Sequence, residues 1–167
     1  MVSIVQKYGL VTNTLCNFVA VTKTDTFSTA TNGSWVDVTG LSISITPQLI
    51  TSTILLFANI GMVGHSTGAY VDFQWATSAG SALLVGDAAG SRIRAAGATL
   101  GAQTAAEADG GYMFMATHAP ASLAQQTYKI QLQASGGTSF VGRSSTDTDA
   151  ASYARGACLL VAVEALT

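Results

Sequence analysis

Apolar and polar residues alternate with a period of two along much of the chain. The segment 126–135 is the clearest case, because Tyr128, Ile130 and Leu132 are separated by polar residues. Such alternation is typical of a β-strand with one buried face. Two further stretches, 54–63 and 157–165, have strand length and are apolar at nearly every position. We expect one side of these strands to face the core and the other side to face a partner.

Turn-forming residues divide the remaining chain into short segments. Residues 17–30 read as one long Thr-rich strand, and Asn32-Gly33 after it is a strong hairpin signal. Pro47 ends the following strand. The Gly- and Ala-rich middle, 80–111, indicates loops with short strands, and a short helix is possible over 104–108.

About eight to ten strands joined by turns predict an all-β fold, an antiparallel β-sandwich of the jelly-roll type. The chain shows no internal repeat or linker. We therefore expect one β-sandwich domain over 17–167, preceded by a short extended N-terminal arm over 1–16.

Composition supports this interpretation and adds a clue to function. Hydrophobic residues make up 49% of the 167 residues and charged residues only 10%, against about 25% in typical soluble domains. Because isolated soluble domains use charge to stay apart, we expect part of the surface to be covered in an assembly. No apolar run is long enough for a membrane helix, and the net charge of −2 offers no basic footprint for nucleic acid. The N-terminus lacks signal-peptide features, which predicts synthesis and folding in a cytoplasm.

The string Gly64-His65-Ser66-Thr67-Gly68 matches the G-x-S-x-G elbow of serine hydrolases. Asp87 or Asp109 and then His118 follow in the order of triad partners. An elbow requires a helix after the serine, however, and residues 69–77 have the period of a strand. We therefore predict a hairpin turn instead, in which the two glycines supply positive φ and the three residues between them form an exposed tip.

Other candidate sites have simpler explanations. Asp147 and Asp149 lack the further ligands of a calcium loop, and the two histidines and two cysteines lack zinc spacing. Trp75, Tyr112 and Tyr128 could form a carbohydrate platform, but core packing is the favoured explanation for them. In a chain so poor in charge, Arg–Asp pairs that fix loops or join subunits are the natural interpretation of the remaining charges: Asp87, Arg92, Arg94, Arg143, Asp147, Asp149 and Arg155.

The chain contains two cysteines, Cys16 and Cys158. Two buried free thiols in a reducing cytosol are favoured over a disulfide. Spacing alone does not test whether the two thiols meet.

Four blocks of the sequence resemble a β-module of tailed-bacteriophage virion proteins. They are the T-D-x-F-S-T start and the V-D-V-T-G-L-S-I-S-I-T-P strand within 22–47, the G-D-A-A-G-S-R loop within 86–95, and the T-D-T-D-A-A-S-Y-A-R segment within 127–165. The blocks occur in the same order as in that family, and the resemblance covers most of residues 20–165.

The resemblance implies a trimeric, jelly-roll-like structural protein of the virion without enzymatic activity or cofactor. Only 16 to 20 residues precede the module, with no fibre shaft among them, so a capsid decoration (cement) protein is favoured. Its partners would be its own copies and the major capsid protein, and its location the capsid surface. The alternative is a receptor-binding tail-fibre or head-fibre module that contacts host glycans. The apolar residues of the arm would then contact the capsid shell: Val2, Ile4, Val5, Tyr8, Leu10 and Val11.

Overall fold

The structure is a computed structural model, and it describes residues 14–66, 70–98 and 110–166. These residues form twelve β-strands and no helix. No helix in these ranges is long and apolar enough to cross a bilayer. The strands are β1 (Thr14–Lys23), β2 (Phe27–Thr29), β3 (Val36–Ile45), β4 (Thr53–Ile60), β5 (Val63–His65), β6 (Val71–Thr77), β7 (Ala82–Leu83), β8 (Gly97–Ala98), β9 (Tyr112–His118), β10 (Gln126–Ala134), β11 (Ser139–Val141) and β12 (Cys158–Leu166).

Two antiparallel sheets pack face to face. One has the order β1-β12-β4-β9, and the other has the order β3-β10-β6-β7, with β8 also paired to β6. If β1, β3, β4, β6, β7, β9, β10 and β12 are counted one to eight, the two orders are 1-8-3-6 and 2-7-4-5. This is the strand order of a jelly roll. The prediction of an all-β, jelly-roll-like sandwich is confirmed.

The core lies between the two sheets and consists of every second residue of the long strands. Phe73, Trp75 and Phe114 form its aromatic centre, with Phe114 within about 6.5 Å of both other rings, centroid to centroid. Tyr128 is also buried and, like Trp75, is in the core cluster. Neither side chain faces solvent, so neither can serve as a carbohydrate platform.

The three short strands β2, β11 and β5 form a third sheet, in that order. Each lies within a connection between the two large sheets: β1 to β3, β10 to β12, and β4 to β6 respectively. The register of the ladders places all three connections at the same end of the sandwich. This end is therefore braced by hydrogen bonds between its own loops.

Two local predictions are wrong because of this third sheet. Residues 17–30 do not form one strand: the chain leaves β1 after Lys23, whose ammonium contacts the Asp25 carboxylate at 2.9 Å, and begins β2 in a different sheet. Asn32-Gly33 is not a hairpin turn, since β2 pairs with β11 and β3 pairs with β10. Gly33 does have a positive φ of 71°, and its N–H donates to Ala134 O at 2.9 Å.

The N-terminal strand starts earlier than predicted. β1 begins at Thr14, so three residues assigned to the arm belong to the sandwich. The apolar residues assigned to shell contact, and the predicted helix over 104–108, lie outside the described residues.

The two cysteines lie at opposite ends of one ladder. Cys158 is opposite Lys23, whereas Cys16 lies in a bulge next to the Leu15–Ala165 pair. About seven strand residues separate the two positions, roughly 20 Å at the rise of a β-strand, while a disulfide needs Cα atoms within about 7 Å. The two cysteines of one chain therefore do not pair, and Cys158 is a buried free thiol.

Candidate functional site

The G-x-S-x-G string lies in a crossover between sheets. Gly64 and His65 belong to β5, which pairs with β11, whereas β6 pairs with β10, β7 and β8. The hairpin prediction is therefore wrong, and so is the exposed position of His65, which is 1% exposed. Thr67 and Gly68 lie outside the described residues.

Gly64 is required here for close packing rather than for positive φ. A Cβ at this position would lie 2.7 Å from the backbone carbonyl carbon of Ser144. Ser66 is fixed to the opposite loop by two bonds of 2.9 Å: its N–H donates to Thr138 O, and its hydroxyl accepts from the N–H of Thr138. The string is a structural contact between two crossovers.

The geometry of a hydrolase elbow is missing from the described part of the chain. A strand, β6, follows Ser66 where an elbow would need a helix to support an oxyanion hole. His118 lies on β9, with its Nδ1 3.0 Å from the hydroxyl of Tyr128. Asp109 lies outside the described residues. Within those residues, no group of three His, Cys, Asp or Glu side chains could hold a metal ion.

Three of the predicted charged residues meet in the β11–β12 connection. Arg155 binds the Asp147 carboxylate with its closest contact at 2.7 Å, and Arg143 Nε lies 4.0 Å from the same carboxylate. The Arg143 guanidinium also lies over the Phe140 ring, 3.9 Å from its centroid. These contacts hold a long loop against the third sheet. Asp149 lines a shallow cleft of about 330 Å³ beside Asp147 and Arg155.

The other predicted charged residues gather near β6 and β8. Asp87, Arg92 and Arg94 line a second cleft of about 330 Å³ together with Asp72. Arg94 Nε donates to Gly86 O at 2.6 Å. Burial raises the pKa of the Asp72 carboxyl above its ordinary value of 3.8.

The outer face of the β3-β10-β6 sheet is polar. Asp37 accepts hydrogen bonds from Lys129 at 2.8 Å and from Gln131 at 2.7 Å, and Gln74 donates to Gln131 at 2.8 Å. The hydroxyls of Ser44 and Thr127 form a separate hydrogen bond of 2.8 Å on the same face. This face therefore carries both an ion pair and several polar side chains that hydrogen-bond to one another.

The outer face of the β1-β12-β4-β9 sheet is apolar, and we call it the apolar face. Its residues form three rows across the four strands. The rows are Thr22–Leu159–Asn59–Met113, Ala20–Val161–Phe57–Met115 and Phe18–Val163–Leu55–Thr117. None of these twelve residues is charged.

Several large side chains of the apolar face are open to solvent. Met113 is 80% exposed, Phe18 66% and Met115 59%, and Phe57 and Leu159 are also exposed. With about 200 Å² for a fully exposed side chain of this size, the five together expose roughly 550 Å². Patches of this size lie at the upper end of those found on monomeric proteins and are often functional.

Part of the apolar face was predictable from the sequence. The apolar stretches 54–63 and 157–165 predicted strands with a second apolar side, and β4 and β12 have one. Phe18, Met113 and Met115 were missed. The signal for the methionines was present, because residues 112–115 are apolar at every position although only alternate residues can face the core.

A scan against protein-family models and a search of curated proteins give no match. Among solved structures, the chain is similar to VP2 of infectious bursal disease virus: a VP2 variant in T=1 particles at 16% identity and a TM-score of 0.46, and a VP2 subviral particle at 15% and 0.46. The Gx strain matches at 14% and 0.43. Each match covers 89% of this chain but only 35%, 36% and 39% of those chains. The chain thus spans little more than a third of their length.

Proposed function

We propose that this protein is a structural component of a virion, a homotrimeric capsid decoration protein that binds the head shell and stabilises it. The observation that carries the proposal is the apolar face: a jelly roll that leaves one sheet face uncharged, with large apolar side chains open to solvent, is suited to being covered in an assembly. Covering this face would stabilise the assembly by about 25 cal/mol per Å² of apolar surface removed from water. Every copy on the shell would contribute this free energy again.

Three further features support this function. The charged fraction of 10% is low for a protein that stays monomeric. Two hydrogen bonds to Thr138 give Ser66 a structural role. The sequence blocks within 22–47, 86–95 and 127–165 resemble a phage virion module, and the apolar residues of the first 13 positions would supply the contact with the shell.

A receptor-binding fibre module is the alternative, and one observation favours it. The cleft beside Asp147 is also lined by Asp149, Tyr153 and Arg155. A partly exposed aromatic ring beside carboxylates and a guanidinium is suited to a sugar, because the ring stacks on apolar faces and the charged groups bind hydroxyls. A glycan array with wild type and Tyr153→Ala tests this module directly.

The copy number per particle separates the two functions. We expect quantitative mass spectrometry of purified virions to find hundreds of copies and electron microscopy to place them on the head. A few tens of copies at the tail would contradict the decoration proposal.

Heads that lack the protein provide a second test. Wild type added in trans should bind them, and a chain lacking residues 1–12 should remain a folded trimer that does not bind. If the shortened chain binds as well as wild type, the arm is not the shell contact.

A further inference from the structure

The apolar face is an extended exposed surface whose central row carries no polar or charged side chain. Its central row, Ala20–Val161–Phe57–Met115, runs across all four strands. The rim carries only neutral polar residues, Thr22, Asn59 and Thr117. We propose that its occupant is the apolar face of a second copy of this chain, packed sheet against sheet. This assigns a surface to self-association, which the proposed function leaves open.

The size of the face suits this partner. A stable protein–protein interface needs about 800 Å² from each partner. The five exposed large side chains provide roughly 550 Å² of this area at about 200 Å² each. The half-buried Val161, Val163 and Leu55 and the exposed rim residues add the remainder. A contact over the whole face therefore reaches the size of a standard interface.

The absence of charge on the apolar face also favours the same face of another copy as its partner. A face without charge gains nothing from a charged partner and would bury that partner's charges without compensation. The opposite sheet of this protein is excluded for that reason, since Asp37 and Lys129 lie on its outer face. Among the described surfaces of the molecule, the apolar face alone is an uncharged sheet of matching extent.

Packing geometry is compatible with such a contact. The outer faces of two sheets can interdigitate at about 10 Å separation, as the inner faces of a sandwich do. Phe18 and Phe57 provide rigid bulk, while Met113 and Met115 adapt to a neighbour because their side chains are unbranched. In the proposed trimer, three copies would turn the face toward a common axis, so that each face packs against those of its two neighbours.

Light scattering after size-exclusion chromatography tests the proposal. The wild-type chain should be oligomeric at micromolar concentration. Met115→Glu places a buried charge in the contact and should weaken association at least about thirtyfold, as loss of a hot spot does. Met115→Leu keeps the face apolar and should leave association unchanged. Ser42→Glu, on the exposed polar side of β3, adds the same charge elsewhere and should also leave it unchanged.

The oligomeric states of the variants can be compared with that of wild type only if each variant is folded. Met115 is already solvent-exposed within one chain, so the Met115→Glu variant should keep the circular dichroism spectrum of wild type. A monomeric wild type, or a Met115→Glu variant as oligomeric as wild type, would overturn the proposal. If wild type is monomeric but Met115→Glu abolishes binding to heads, the shell is the occupant and the proposal is also overturned. An oligomer that depends on Met115 but does not bind heads would contradict the decoration function alone.

Discussion

Glu164 Oε1, on the last strand, accepts a hydrogen bond of 2.6 Å from the hydroxyl of Ser52, 112 residues earlier in the chain. The same oxygen accepts the backbone N–H of Gln48 at 2.6 Å, and Glu164 is fully buried. This carboxylate therefore organises the turn between β3 and β4.

Replacing this carboxylate should destabilise the fold. Glu164→Leu removes the oxygen that accepts from Ser52 and Gln48, leaves the buried Ser52 hydroxyl without this partner, and should lower the free energy of unfolding by about 1–3 kcal/mol. Chemical denaturation measures this loss. Ser52→Ala removes a single donor and should cost less. Equal stability of Glu164→Leu and wild type would show that the turn does not depend on this acceptor.

Gly64 should not tolerate a side chain. Gly64→Ala brings a Cβ to 2.7 Å from the backbone of Ser144, and backbone can move aside only by separating the two crossovers. We expect a clear fall in melting temperature. Gly86→Ala is the matched control, because a Cβ there meets nothing within 4 Å, and its melting temperature should stay close to that of wild type. Similar effects of the two substitutions would refute the packing role of Gly64.

Asp72 should make stability depend on pH in an unusual direction. Burial raises the pKa of its carboxyl above 3.8, so the folded protein holds this proton more tightly than the unfolded chain does. The tighter binding of this proton stabilises the fold fully below the pKa of Asp72 in the unfolded chain. This contribution is lost as the pH rises through the pKa of Asp72 in the folded protein. Asp72→Asn should therefore gain stability relative to wild type between about pH 4 and neutral pH, measured by denaturation at each pH.

Asp37 provides the opposite case for comparison. The hydrogen bond from Lys129 lowers the pKa of the Asp37 carboxyl, so its contribution is present above the unfolded pKa and is lost as pH falls through the folded pKa. Asp37→Asn should lose stability relative to wild type at neutral pH, by a small amount because the carboxylate is half exposed. If both variants respond to pH in the same direction, the assignment for Asp72 is wrong.

Cys158 should be inert in the folded protein. Its thiol is buried, and this burial raises its pKa, so little reactive thiolate forms at neutral pH. A thiol reagent should label Cys158 only after denaturation, and a reductant should leave the melting temperature unchanged. Rapid labelling of Cys158 without denaturant would contradict the buried position.

The strands were more predictable than the connections between them. Alternation in 126–135 identified β10 and the side of it that faces the core, because burial of one face imposes a period of two. The pairing of β2 with β11 could not be read in this way. Three-residue strands carry too few positions to show a period, and β2 and β11 lie more than 100 residues apart along the chain.

The candidate surface was predictable only where apolar residues outnumber the positions that a core can use. In β4 and β12 this excess indicated a second covered side. In β1 the signal was weak, because Phe18 shares its side of the strand with the small residues Ala20 and Thr22. The carboxylate of Glu164 had no signal at all, since nothing local distinguishes a buried Glu near the end of an apolar strand from an exposed one.

The position of β12 between β1 and β4 has a consequence for biosynthesis. The first strand of that sheet has no neighbour within the sheet until the ribosome has made residues 158–166, so the sandwich cannot close before that segment emerges. Until then the inner and outer apolar sides of β4 are both open to water. Folding and self-association would thus both wait for β12, and the nascent chain would need protection from aggregation until β12 has paired.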